Sequence, residues 1–232
     1  MMKGFKYAVL VSALLAAPAF ANWSVNVGAI GVSPDDSSSH LNVVETVAGL
    51  PANSTAVGVN SNTQLGLTVD YKLSPNWTFE LIAATPFSHD IAVKGSAIDG
   101  LPIGKTKHLP PTLLAQYHFV LEDSRFDPFV GLGLNYTKFF NEKVSPELTS
   151  TLQALNVTTA SDDVDLKLKD SVGLAIQAGL NIQLDSNWGV HLMLSRMDIS
   201  TTGRVQVNGA TIQSVDVDID PYVWMLGVRY SL

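Results

Sequence analysis

The chain has 232 residues, 46% of them hydrophobic and only 15% charged, where a soluble domain carries about 25% charge. It has no cysteine, which removes thiol catalysis, disulfide frameworks and cysteine metal sites. A formal charge of −7 argues against a nucleic-acid partner, which selects a basic face.

The N-terminus points to export. Lys3 and Lys6 form a positive leader, Tyr7 to Ala17 a short apolar core, and Ala19-Phe20-Ala21 an A-x-A cleavage site. Residues 1–21 are therefore read as a signal peptide cut after Ala21. Asn22 becomes the N-terminus, and the charge moves from −7 to −9 because two lysines and no acidic residue leave. The alternative, a retained membrane anchor, is disfavoured because the apolar core is too short to span. No later stretch offers the roughly 18 uncharged apolar residues of a membrane helix. The apolar content is dispersed instead.

Period-two alternation organises residues 22–232. The first run is Trp23 to Val32, with Trp23, Val25, Val27 and Ala29 on one face and Ser24, Asn26 and Gly28 on the other. A long polar segment reaches about Asn62. In the second run, Leu65, Leu67, Val69, Tyr71 and Leu73 alternate with Gln64, Gly66, Thr68, Asp70 and Lys72. Ser74-Pro75-Asn76 is a tight turn. Trp77 to Thr85 follows, then a second long segment from Pro86 to Lys107. The fourth run is His108 to Leu121, turned at Glu122 to Arg125, and the fifth is Phe126 to Thr137. In a third long segment, Lys138 to Lys169, Ser145 is placed to cap a short helix with Pro146 at its first position. Leu148, Leu152 and Leu155 then share one side. Ser171 to Leu184 and Trp188 to about Asp198 are joined at Asp185-Ser186-Asn187. A fourth long segment holds Asn208-Gly209, and the last run, with Tyr222, Trp224, Leu226, Val228 and Tyr230 on one face, reaches the C-terminus.

Short turns and long connections alternate, so both termini and all the short turns fall on one side. This is the pattern of an eight-stranded antiparallel transmembrane β-barrel with four long extracellular loops and short periplasmic turns. Backbone polar groups in hydrocarbon need partners inside the protein, and a closed barrel supplies them without an edge. The second and sixth runs carry small or polar residues on the inward face, where a soluble core would carry bulk. Trp23, Tyr71, Trp77, Tyr117, Phe119, Phe126, Trp188 and Tyr230 gather near the short turns and read as an aromatic girdle.

The stretch from Lys107 through His108-Leu109-Pro110-Pro111-Thr112-Leu113-Leu114-Ala115-Gln116-Tyr117-His118 to Phe119 resembles the signature of the OmpW family of small outer-membrane proteins. Asp127 to Tyr136, Asp218 to Val228 and the opening Trp23 agree with it. The resemblance covers essentially all of residues 22–232. It implies a bacterial outer-membrane location and a narrow apolar passage that admits small hydrophobic molecules. Exit would be sideways into the membrane because the lower barrel is blocked. The implied partners are outer-membrane lipid and lipopolysaccharide, small hydrophobic molecules and the outer-membrane insertion machinery. Leu232 departs from the family's habit of ending on an aromatic residue, although Tyr230 stands two places earlier.

No H-E-x-x-H, G-x-S-x-G or P-loop motif occurs, so neither enzyme activity nor a cofactor is expected. His40, His89, His108, His118 and His191 are dispersed, so no metal site is expected either. By parity Asp70, Lys72, Glu80, Gln116, His118, Gln177 and Arg229 face inward, with Asp70, Lys72, Glu80 and Arg229 toward the short-turn ends of their strands. They are read as a polar plug that satisfies the barrel interior, obstructs an aqueous channel, or both. Higher up, Ile30, Val32, Ile82, Pro110, Met193 and Met197, with Phe87 and the loop leucines Leu148, Leu152 and Leu155, are read as lining a substrate passage; ordinary loop packing is the alternative. Pro110 either opens the wall or marks a strand start. Besides passive uptake, a structural or surface-interaction role and a small ion-conducting pore stay open, as does the oligomeric state.

Overall fold

Alternation over seven to nineteen residues becomes long strands, and Pro, Gly and Asn at the breaks turn them. A computed structural model of the chain describes residues 22–122 and 124–232; the expected cleavage residues Ala19 and Ala21 lie outside the described residues. In chain order the elements are β1 (Trp23–Ser33), β2 (Ser37–Ser38), α1 (Asn42–Val47), β3 (Ala56–Val59), β4 (Asn62–Lys72), β5 (Trp77–Ala84), β6 (Phe87–Lys94), β7 (Pro102–Leu109), β8 (Thr112–His118), β9 (Phe126–Val144), α2 (Pro146–Ala154), β10 (Val164–Leu168), β11 (Ser171–Gln183), β12 (Trp188–Met197), β13 (Ser200–Val207), β14 (Ala210–Asp218) and β15 (Tyr222–Ser231).

Eight of these close into an antiparallel barrel in the order β11-β12-β15-β1-β4-β5-β8-β9, with β9 pairing back onto β11. The oily face is outside: Leu67, Leu174 and Leu226 are 41%, 57% and 54% exposed, while Asn26, Thr68 and Glu80 across the wall are fully buried. Taking the end with the short turns as the lower one, the girdle is built from cross-strand pairs in register. Trp23 lies opposite Tyr71, Trp77 opposite Tyr117 and Trp188 opposite Tyr230, with ring centroids 4.9, 5.3 and 4.7 Å apart. Such pairs add to sheet stability beyond their burial.

The long connections carry sheet and short helix of their own. β9 runs for 19 residues, about 60 Å of strand, well beyond a lipid-facing band of about 25 Å. Its upper part continues into β7, β6 and β3. A second sheet, β10-β13-β14-β2, stands over the barrel mouth. Asn208 and Gly209 both have positive φ (49° and 82°), which the two-residue turn between β13 and β14 requires. The expected helix forms: the Ser145 hydroxyl accepts from the Leu148 N–H at 2.9 Å, and Pro146 opens α2.

Two expected boundaries move. The run from His108 to Leu121 is split at Pro110-Pro111 into β7 and β8, because proline has no N–H for the ladder. The turn expected at Glu122 to Arg125 is longer: β8 ends at His118 and β9 begins at Phe126. Phe119 still donates to the Pro128 carbonyl, but Pro128 cannot donate in return, so the ladder stops there.

Candidate functional site

The lower barrel interior is a connected polar layer. The Arg229 guanidinium is bonded to Asp70 and reaches Asn26 Oδ1 at 3.1 Å. Asn26 Nδ2 donates to Asp70 at 3.0 Å and to Thr68 at 2.6 Å. Gln116 Nε2 donates to Gln177 Oε1 at 2.8 Å, and Gln177 Nε2 donates to Glu80 at 2.7 Å. Below them His118 Nδ1 bonds Asp127 at 2.9 Å, and Asn181 links Asp127 (3.1 Å) to His191 Nδ1 (2.9 Å). The Phe129 ring fills the space between, 5.2 Å from His118 and 5.7 Å from His191. Gly179 makes room for it: a Cβ there would lie 2.2 Å from the ring.

Six of the seven expected plug residues thus belong to one interior layer. Lys72 does not. It ends β4, is exposed, and lines the lower opening beside Arg229 and Asp127, where a flexible stem lets the ammonium reach water. The sequence reading missed Asn26, Thr68, Asp127, Asn181, His191 and Phe129. Parity alone places Asn26 and Asn181 inward. Nothing in the sequence marks Phe129 as the residue that fills the gap.

Above this layer the interior turns apolar. Ile30, Val32, Ile82, Met193 and Met197 are buried there, joined by Leu114, Val223 and Met225. They pack together with Phe87 as a floor, and none of them lines the cavity above. The open space lies higher, between the two upper sheets. It is a narrow cleft with a cavity volume of about 70 Å³. Its walls are Val57 and Val59 of β3, Ile91 and Val93 of β6, Ile103 of β7, Phe139 of β9, Leu166 and Leu168 of β10, Val205 of β13 and Val215 and Val217 of β14, with Leu148 of α2. Among the expected passage residues only Leu148 lines it. Leu152 and Leu155 line a smaller neighbouring space with Leu148.

Two imidazoles stand in this wall. His89 and His108 are stacked at 4.8 Å with 10° between their planes, and Phe87 and Phe139 flank His108 at 5.4 and 5.8 Å. They lie above the lipid-facing belt, on strands whose outward residues are Asp90, Lys105 and Lys107. Burial holds both below the ordinary histidine value, His108 down to about 3 with His89 adding to the effect, so both rings are neutral at neutral pH.

The wall beside the cavity has a break. Ile82 pairs with Thr112, and the next pair up is Phe87 with His108. Between them Ala83 to Pro86 face Leu109 to Pro111 without a ladder pair, and Pro86, Pro110 and Pro111 have no N–H to give. On the other flank β9 passes unbroken, with Asn135 opposite Thr112 and Lys138 opposite Leu109. Pro110 is buried at this break, where its carbonyl accepts from Thr112 and Asn135. His108 belongs both to the cavity wall and to the upper edge of the break.

The sequence pattern of the OmpW family, matched over residues 21–232, joins this geometry. The chain belongs to the OmpW family. It is 41% identical to outer membrane protein W of Vibrio cholerae, across 96% of this chain and 95% of that one. It also resembles the crystal structure of the outer membrane protein OprG from Pseudomonas aeruginosa, with a TM-score of 0.75 at 37% identity, covering 90% of this chain and 94% of that one. The solid-state NMR structure of outer membrane protein AlkL in lipid bilayers shares the fold, with a TM-score of 0.62 at 20% identity, covering 90% of this chain and 89% of that one. Like other OmpW family members, the protein is an outer-membrane β-barrel, and its short turns and termini face the periplasm. The apolar cavity above the plug is the candidate site.

Proposed function

We propose that the protein is a non-enzymatic, passive passage for small hydrophobic molecules, which enter the cavity from outside and leave sideways through the break at Pro86, Pro110 and Pro111. The observation that carries this reading is the cavity's setting: an apolar space whose wall reaches the break, above a packed floor and a hydrogen-bonded plug. Molecules in it have a polar obstacle below and, at the break under His108, a way sideways toward lipid. Transfer of an alkyl chain from water into such a space gains about 0.8 kcal/mol per CH2, and the acyl layer returns a similar value, so the route needs no energy source. A continuous aqueous pore fits poorly, since eight strands leave an interior filled by side chains.

Gly203 tests the passage. It lines the cavity, and a Cβ there would meet Leu168 and Val215 only at 3.4 Å, an ordinary contact. The Cβ of a Gly203→Leu side chain is therefore accommodated without displacing backbone, and the longer side chain narrows the cleft. In vesicles whose outer leaflet is lipopolysaccharide, uptake of an apolar fluorescent probe is expected to fall by about tenfold, roughly the effect of 1.4 kcal/mol on a barrier. Uptake equal to the parent's, with the barrel folded, rejects the passage.

A further inference from the structure

The cavity wall is apolar but for five polar side chains, and three of those are spoken for. The Thr106 hydroxyl donates to the Lys107 carbonyl at 3.3 Å, and Thr201 to the Lys169 carbonyl at 2.7 Å. Gln213 accepts from the Val43 N–H at 3.0 Å and donates to Asn42 and Ser214 at 3.2 and 2.7 Å. The other two are His89 and His108, each with Nε2 buried and without a partner among the described residues. A buried polar atom without a partner costs free energy, and two such atoms on stacked rings in one wall call for a ligand group.

Hydrogen-bond bookkeeping says which group. His89 Nδ1 faces the Asn60 carbonyl, which can only accept, so Nδ1 carries the proton. In the neutral ring Nε2 is then a bare acceptor. No such partner fixes His108 among the described residues, so its Nε2 is free to donate. One acceptor and one donor on two stacked rings match a hydroxyl, which both gives and takes. No charged side chain lines the cavity among the described residues, which disfavours an anion stripped of water there.

We propose that the cavity is built for a slender amphiphile with one neutral hydroxyl, held between His89 and His108 while its apolar body lies in the cleft. The proposal rests on the passage reading and names its substrate class: aliphatic alcohols over plain hydrocarbons or fatty anions.

The test uses the mature chain, labelled with 15N-histidine, in lipid nanodiscs titrated with 1-octanol, octane or octanoate. Octanol is expected to move the Nε2 resonances of His89 and His108 and to bind at least tenfold more tightly than octane or octanoate. His89→Phe, which keeps a ring stacked on His108, is expected to bring octanol down to the affinity of octane and leave octane unchanged; His108→Phe acts likewise. Equal binding of octanol and octane overturns the alcohol preference while leaving the passage standing. So does a preference that survives both substitutions, or parent Nε2 resonances unmoved at octanol saturation. If neither octanol nor octane binds, the passage reading falls and this inference falls with it.

Discussion

Arg229→Met keeps the aliphatic stem and removes the guanidinium from the plug. Asp70, whose side chain is 3% exposed, would keep the Asn26 amide at 3.0 Å and the Thr68 hydroxyl at 3.4 Å but lose the one cation paired with it among the described residues. Breaking a buried pair by removing one partner costs about 3–5 kcal/mol, mostly because the other charge is stranded. Arg229 is 13% exposed and lines the periplasmic opening, so water can enter the vacated space and the expected loss is about 3 kcal/mol, the lower end of that range. Adding Asp70→Asn removes the stranded charge and is expected to restore more than half of the loss. Urea titration of the barrel in lipid vesicles, read by the electrophoretic shift between folded and unfolded forms, measures both variants. A single variant within about 1 kcal/mol of the parent, the value of a surface pair, refutes the reasoning. So does a double variant no more stable than the single one.

Phe129→Ala opens the plug where the ring now separates His118 from His191. Its polar neighbours invite water, so ion conductance in planar bilayers is expected to rise above the parent's, and unchanged conductance shows that the ring is not the obstruction. In the first extracellular segment, Glu45 accepts from the Thr55 hydroxyl at 2.7 Å and from the N–H groups of Asn53, Ser54 and Thr55 at 2.9 to 3.0 Å. These bonds, the Thr55 hydroxyl first, hold its carboxyl below the ordinary value. A depressed folded value means the stabilisation is complete above the unfolded value of about 4.3 and disappears as pH falls through the lower, folded one. Amide exchange of residues 41–55, corrected for intrinsic rates, is expected to accelerate as pH drops from 7 to 3 while β1 and β15 stay protected. Equal protection at both pH values counts against this role for Glu45.

The barrel was legible because lipid imposes a two-residue period over long stretches: β4 and β11 can be read off Leu65 to Leu73 and Val172 to Ile182 alone. The upper sheets were not, though a weaker form of the same signal is present. Phe87, His89, Ile91 and Val93 alternate with Ser88, Asp90, Ala92 and Lys94, but polar flanks and proline on both sides make the segment read as loop. The passage expected from sequence at Ile30, Ile82 and Met193 thus falls on side chains of the floor, whereas the passage proposed from the structure uses the cavity above them. Strand parity located most of the plug. It could not show that Lys72, last on its strand, escapes to water, or that Gly179 and Phe129 fit each other across neighbouring strands. Both depend on positions between strands, and the order of residues along one strand does not encode them.

The seam of the ring joins β1 to β15, where Ser24 meets Ser231 across 207 positions of sequence. Any piece that lacks β1 or β15 leaves two raw borders, each a row of amides and carbonyls that hydrocarbon cannot solvate. Arg229 sits on the last strand and its partners Asn26 and Asp70 on β1 and β4, so the stitch that fastens the interior is made only when the final segment arrives. Insertion is then all or nothing: a polypeptide missing its last ten residues forfeits the barrier as well as the wall.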